Sequence, residues 1–302
     1  MLKVNKMQSD NTDKCLNPYI SLIGAFALAL GTILGWGSLI STSNVYLLQS
    51  GPVGSILGVC CGALVMLIIA RNYTFLMTRF PDCGGAYSYA KKAYGYDHAY
   101  IAGWFLTSTY LAVLWFNVTS IPLFARNFIG NIFQFGFKYS ICNYEVYFGE
   151  ALISSLILIL ICWLVAKFRK YSMALMTLMV SAFIGLIGIC FILIINKNGG
   201  IHTVNPAFVP DSDQLLQVIN IAFISPLAFA GFESISHASE EFNFSKDKII
   251  NVLFAAIFFA ALFYIIILSL SVTVYPPQYH SWFEYISNLS KHSGIESFPV
   301  FY

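Results

Sequence analysis

Apolar residues in this chain fall in long blocks, at residues 20–49, 54–78, 98–124, 149–168, 172–196, 214–241 and 248–275, separated by short polar or basic segments. About 20 consecutive apolar residues cross the hydrocarbon core of a bilayer as a helix, and each block is long enough. The pattern predicts an all-α integral membrane protein with about seven transmembrane helices. It divides the chain into a polar N-terminal tail over 1–19, a transmembrane region over 20–275 and a C-terminal segment over 276–302. The tail has no short apolar core followed by a cleavage site, so it is expected to be a cytoplasmic tail and not a signal peptide.

Composition agrees with the pattern. Of 302 residues, 58% are hydrophobic and 10% charged, against about 25% charged in an ordinary soluble domain. That charge is too sparse to coat a surface facing water. The formal net charge of +2 is not gathered into one basic patch, so nucleic acid is not an expected partner. Seven cysteines (Cys15, Cys60, Cys61, Cys83, Cys142, Cys162, Cys190) lack metal-type spacing and are read as free. No Ser/His/Asp set, phosphate loop or carboxylate pair is present, so neither an enzyme nor a cofactor is expected.

Orientation follows from the basic residues. With the N-terminus inside, twelve of the sixteen Lys and Arg residues fall on the cytoplasmic side and only Arg126, Lys138, Lys197 and Lys291 fall outside. The extracytoplasmic side then takes the C-terminal segment.

Two blocks are interrupted near their middles. The first carries Gly31, Gly35 and Gly37, and the sixth carries Pro226, Gly231 and Glu233. Proline removes a backbone hydrogen bond and glycine lowers the cost of leaving helical geometry. Non-helical backbone at membrane depth is tolerated where it is buried in protein or lines a wet cavity. The two blocks run in opposite directions with five spans between equivalent positions, as expected if the sixth opens an inverted repeat of the unit that the first opens. Helix N-termini suit a carboxylate and helix C-termini suit an ammonium, so a zwitterionic amino acid matches the pair. Close helix packing is the competing reading for either glycine cluster alone.

Several segments resemble the amino acid–polyamine–organocation (APC) permeases. GTILGWGSLIS resembles their first-helix G-x-I-x-G-x-G signature, and Gly51-Pro52-Val53-Gly54-Ser55 their link into helix two. FPDCGGAYSYAKKAYG, from Phe80 to Gly95, resembles their FPxxGGxYxYxxxxxG loop. Phe229-Ala230-Gly231-Phe232-Glu233 followed by Glu240-Glu241 resembles their sixth-helix FxGFE…EE pattern.

The resemblance implies two inverted five-helix repeats, with an amino acid or amine held between helices one and six and carried by alternating access. It implies a plasma-membrane location, lipid as surroundings, and leaves a homo-oligomer open. By position, N–H groups around Gly35, Trp36, Gly37 and Ser38 would hold a carboxylate. Carbonyls near Thr32 and Ile33, and near Ala228, Phe229 and Ala230, would take an ammonium. Helix three would offer Thr107, Ser108, Ala112 and Trp115 to the side chain. Phe229 and Phe232 would form an aromatic gate beside Gly231, and Glu233 would couple binding to helix movement. Hydrogen bonding of Glu233 to the loosened backbone is its structural alternative.

Three departures stand out. Trp36 replaces the small middle residue of the helix-one Gly-x-Gly, no proline follows Asn243, and seven spans stand where the family has about twelve. Seven amount to one repeat plus the first two helices of the next. A non-transporting sensor and an inactive fragment are therefore the alternatives to a transporter. Span five contains no lysine, which argues against one form of proton coupling and leaves exchange or another ion open. His237, Glu240 and Glu241 are read as polar groups at the cytoplasmic mouth, and Asn117 as a packing residue, with a hydrogen bond between helices as the alternative.

Overall fold

The computed structural model describes residues 18–141, 144–198, 205–210, 212–273 and 279–292. Helix α1 (Leu22–Ile33) starts on Ser21, whose hydroxyl accepts the Gly24 N–H at 3.2 Å, a side-chain cap for a donor that the helix itself cannot satisfy. After a break, the chain resumes as α2 (Trp36–Ile40), passes through a π-helical segment (Ser41–Tyr46) and enters α3 (Leu47–Arg79). Tyr19 and Cys83 both reach the end of the sixth block, through Glu241 and Glu240 respectively, so the chain must cross and return between them. The turning point is Gly51, at φ 64°, directly before Pro52. A side chain there would meet the Phe208 backbone at 2.8 Å as well as adopting a left-handed conformation, and only glycine avoids both.

Helices α4 (Ala86–Tyr94), α5 (Tyr96–Val118) and α6 (Ser120–Ile129) follow, then a hairpin of β1 (Lys138–Ile141) and β2 (Tyr144–Tyr147). This hairpin departs from an all-helical chain, as does an isolated β-bridge between Ile20 and Phe242, and it occupies the polar stretch before the fourth block. In it, Lys138 and Tyr147 donate to the Glu145 carboxylate at 2.7 and 3.0 Å, and those bonds hold the carboxyl below its ordinary range. Arg126 of α6 grips Glu150 with two bonds of 2.6 and 2.8 Å, while Glu150 also accepts the Tyr147 N–H and so caps α7 (Phe148–Lys167). A buried carboxylate is tolerable when satisfied this fully.

The chain continues through α8 (Arg169–Asn198), α9 (Gln214–Ile224), two 3-10 segments (Ser225–Phe229 and Phe232–Ala238), α10 (Ile249–Thr273) and α11 (Trp282–His292). Among the described residues, six helical stretches are long and apolar enough to cross a membrane: Trp36–Arg79, Tyr96–Ile129, Phe148–Lys167, Arg169–Asn196, Gln214–Ala238 and Lys246–Thr273. Six stretches and seven expected spans describe the same crossings. The break after α1 leaves a 12-residue helix short of a full span, and its continuation merges with the second span across Gly51. Residues 274–275 of the expected seventh span, most of the 1–19 tail and parts of the C-terminal segment lie outside the described residues.

The core centres on α10, which packs against α1 and α3, while α3 packs along α9. Gly54, Gly58 and Gly62 stand four residues apart on α3, and this spacing puts them on one helical face. A Cβ on Gly58 would lie 2.5 Å from Ile221 Cβ, and one on Gly62 1.9 Å from Ser225 Oγ, so the helices approach backbone to backbone. By contrast α5, α7 and α8 expose Trp104, Phe105, Trp115, Leu160, Trp163 and Ile192. Apolar area on that scale is untenable in water and natural against lipid.

Candidate functional site

Helical geometry fails at two places that lie side by side. At the first, Leu34 and Gly35 (φ −89°, ψ 161°) leave the helix between α1 and α2. The Trp36 N–H, which a continuous helix would give to the Thr32 carbonyl, donates instead to Asn117 Oδ1 at 3.1 Å. At the second, Ala230 is extended (φ −57°, ψ 142°) and Gly231 is left-handed (φ 111°) between the two 3-10 segments. Thr32 Oγ1 lies 2.8 Å from the Gly231 carbonyl, and Ser234 Oγ lies 3.2 Å from Thr32 Oγ1. A Cβ on Gly231 would sit 2.5 Å from the Thr32 carbonyl oxygen, a contact that real side chains do not make. Glycine is required here both by its φ and by this approach.

The Trp36 N–H and the carbonyls of Ile33, Gly35 and Ala228 at the breaks have partners within the protein. Asn117 of α5 caps the Trp36 N–H, and its own Nδ2 donates to the Val113 carbonyl at 2.8 Å, which fixes the amide. The Ser38 hydroxyl is 2.8 Å from the Gly35 carbonyl and 3.0 Å from that of Ile33. From α10, the fully buried Tyr264 hydroxyl stands 2.7 Å from the Ala228 carbonyl and 3.2 Å from the Ile33 carbonyl. One hydroxyl thus bridges the two interruptions.

The aromatic residues wrap this centre. Phe229 is fully buried edge-on to Tyr264 at 5.4 Å, and Phe232 lies edge-on to Tyr73 at 5.2 Å. The Trp36 ring packs against Phe124 of α6 at 4.9 Å, and Phe116 covers Gly37, where a Cβ would stand 2.5 Å from Phe116 Cε1. Glu233 Oε2 accepts the Gly231 N–H at 2.8 Å, the backbone contact of the structural alternative given above. A cavity of about 810 Å³ borders the breaks through Gly31, Thr32 and Ser234 and reaches Met176 and Val180 of α8 and Glu241 beyond the second 3-10 segment.

Helix three (α5) meets the breaks with other residues than the resemblance implied. Thr107 and Ser108 are exposed, and the Thr107 hydroxyl bonds back to the Gly103 carbonyl at 2.9 Å. Ala112 is exposed too, and Trp115 is 78% exposed. The α5 side chains that face the interrupted segments are Tyr110, Phe116 and Asn117.

At the basic end, the loop before α4 is clamped to the second 3-10 segment. The Cys83 N–H donates to Glu240 Oε1 at 3.2 Å, and the Cys83 carbonyl lies 3.0 Å from His237 Nδ1, whose Nε2 is 3.2 Å from the Tyr110 hydroxyl. Glu241 is buried, pairs with Arg169 at 2.6 Å and accepts the Tyr19 hydroxyl at 2.8 Å. Among the described residues no group of three or more His, Cys, Asp and Glu could hold a metal ion.

This arrangement of spans and interruptions has a match in sequence: the profile described as amino acid permease fits residues 24–301. The chain belongs to the amino acid permease family. Membership agrees with the six helical stretches long and apolar enough to cross a membrane. The permease is similar to the low-affinity putrescine importer PlaP of Escherichia coli strain K12, 24% identical over 199 residues, covering 66% of this chain and 41% of the importer. The same importer from Escherichia coli O157:H7 gives the same figures. The chain therefore spans less than half the length of the curated relatives it matches.

Tyr264 and Phe116 went unnoticed in the sequence. The signal for Tyr264 was there: a hydroxyl inside the apolar run FFAALFYIIIL has to find a buried acceptor.

Proposed function

We propose that this permease carries small amines or amino acids across the plasma membrane by alternating access, with the substrate bound where the first and sixth spans are interrupted. One observation carries the reading: the two interruptions touch, Thr32 Oγ1 to Gly231 carbonyl at 2.8 Å, while the Thr32 carbonyl has lost its helical N–H partner to Asn117. Carbonyls gathered from two chain segments suit an ammonium, and the first turn after Gly35 suits a carboxylate.

The proposed site takes Thr32, Ile33, Gly35, Trp36, Gly37 and Ser38 from the first interruption. From the second it takes Ala228, Phe229, Ala230, Gly231 and Phe232. Glu233 couples the site to helix movement, because it holds the Gly231 N–H and any shift of Gly231 must move it. Tyr110, Phe116 and Asn117 replace Thr107 and Ser108 as the contribution of helix three. The second interruption belongs to an inverted repeat of the first. The N-terminus lies in the cytoplasm, as the distribution of Lys and Arg favours, so the cavity beside Thr32 opens toward the inside. An amine without a carboxylate fits as well as an amino acid, and the relative named for putrescine import supports including diamines.

The test is counterflow in proteoliposomes preloaded with unlabelled putrescine or mixed amino acids. Transient accumulation of labelled substrate is expected. Saturable binding with no accumulation would replace the transporter by a non-transporting sensor.

A further inference from the structure

The Tyr264 hydroxyl sits where the proposed substrate would put its ammonium. It is fully buried on α10, 2.7 Å from the Ala228 carbonyl and 3.2 Å from the Ile33 carbonyl, one acceptor from each interruption. A phenol has one hydrogen to give, so it serves these acceptors one at a time, and the shorter distance assigns it to Ala228. An ammonium has three donors and serves both at once, with one left for the Thr32 carbonyl that the Trp36 N–H has abandoned. The Ser38 hydroxyl, near the Ile33 carbonyl at 3.0 Å, has the Gly35 carbonyl at 2.8 Å to fall back on. The Ile33 carbonyl, which also accepts the Gly35 N–H at 2.9 Å, therefore can exchange its hydroxyl partners without stranding Ser38.

The geometry points to Tyr264 as an internal stand-in for the substrate ammonium, which holds the two interruptions together when the site is empty and is displaced on binding. This rests on the transport reading above and deepens it by naming the group with which substrate competes. The Ala228 carbonyl has to be satisfied in the empty state, and a removable hydroxyl at 2.7 Å does this while leaving the exchange close to balanced. Displacement also releases this α10 hydroxyl from both interruptions, while Phe229 keeps its ring contact with Tyr264 at 5.4 Å. Tyr264 is thus a positioning residue that converts ammonium binding into freedom for α10.

The experiment compares the unmodified chain with Tyr264→Phe, which keeps the ring and removes the hydroxyl. A second variant, Tyr264→Met, keeps apolar volume should the first fold poorly. Equilibrium binding of labelled putrescine and of labelled amino acids is read beside the maximal counterflow rate. Removing the competitor is expected to tighten binding ~3- to 10-fold, the worth of about one net hydrogen bond, and to lower the maximal rate. Uncharged analogues without an amino group should bind neither protein. Unchanged or weaker binding in both variants, with folding intact, would make Tyr264 a static tie and overturn the proposal while the transport reading survives. An unmodified chain that binds neither substrate would overturn both.

Discussion

Replacing Gly231 by alanine tests whether the two interruptions truly meet. The added Cβ would stand 2.5 Å from the Thr32 carbonyl oxygen and 2.9 Å from its carbon, both backbone atoms that cannot swing aside. The residue also sits at φ 111°, where any side chain is strained. Strain of this kind costs about 1–3 kcal/mol, and overpacking against a fixed neighbour costs a further ~1–3 kcal/mol. The sum is roughly 2–6 kcal/mol, relieved only by parting the first span from the sixth. Gly95→Ala is the matched control: its φ is 90°, but no heavy atom lies within 4 Å of the new Cβ, so it carries backbone strain without the contact. Thermal unfolding in detergent and substrate binding should be measured on both. Gly231→Ala should lose binding by at least about tenfold relative to Gly95→Ala, because about 1.4 kcal/mol is a factor of ten. Equal losses of stability and binding in the two variants would refute the close approach of Thr32 and Gly231.

Other predictions follow the same geometry. Asn117→Ala removes the cap on the Trp36 N–H, which costs about 1 kcal/mol; it also frees that donor, so competition assays should show affinity for amino acids rising relative to carboxylate-free amines. Gly62→Ala would push against Ser225 and Pro226, with the new Cβ 1.9 Å from Ser225 Oγ, and should lower stability by about 1–3 kcal/mol. Gly188→Ala in α8 meets nothing within 4 Å and should be neutral or stabilising by up to about 1 kcal/mol in the same melting experiment. Glu241→Ala strips partners from Tyr19 and Arg169 and should destabilise by about 1–3 kcal/mol, a modest loss because the Arg169 side chain is 58% exposed and can turn to water.

Much of the fold was legible because the membrane imposes a simple rule on length and polarity. The limits of the fourth span were readable to within a residue, the block at 149–168 against the helix Phe148–Lys167, whereas the first and second blocks merge across Gly51. Of the residues read as marking interruptions, Gly35 and Gly231 stand where the backbone leaves helical geometry, while Gly31, Gly37 and Pro226 lie inside helical segments. What the spacing could not give was rotation about a helix axis inside a lipid-facing bundle. On α5 the apolar residues run all round, so no polar face tells which side turns inward. Thr107, Ser108 and Trp115 were indistinguishable from Tyr110 and Phe116 on that ground. The hairpin at Lys138–Ile141 and Tyr144–Tyr147 was hidden for a similar reason, lying in a short polar stretch with no run long enough to show period-two alternation. Tyr264 escaped because its partners, Ile33 and Ala228, are backbone carbonyls 231 and 36 residues away, which no local pattern can report.

The most direct measurement of the central claim is protection of a thiol at the meeting point of the interruptions. Thr32→Cys, in a chain whose native cysteines are replaced by alanine or serine, is labelled with a small membrane-permeant thiol reagent with and without saturating substrate. Substrate at the interruptions predicts that labelling of this half-buried position slows severalfold, while a cysteine at Gly188 of α8, where an added Cβ meets nothing within 4 Å, reacts at an unchanged rate. Labelling at residue 32 that is indifferent to substrate, in a variant that still accumulates it, would contradict the account.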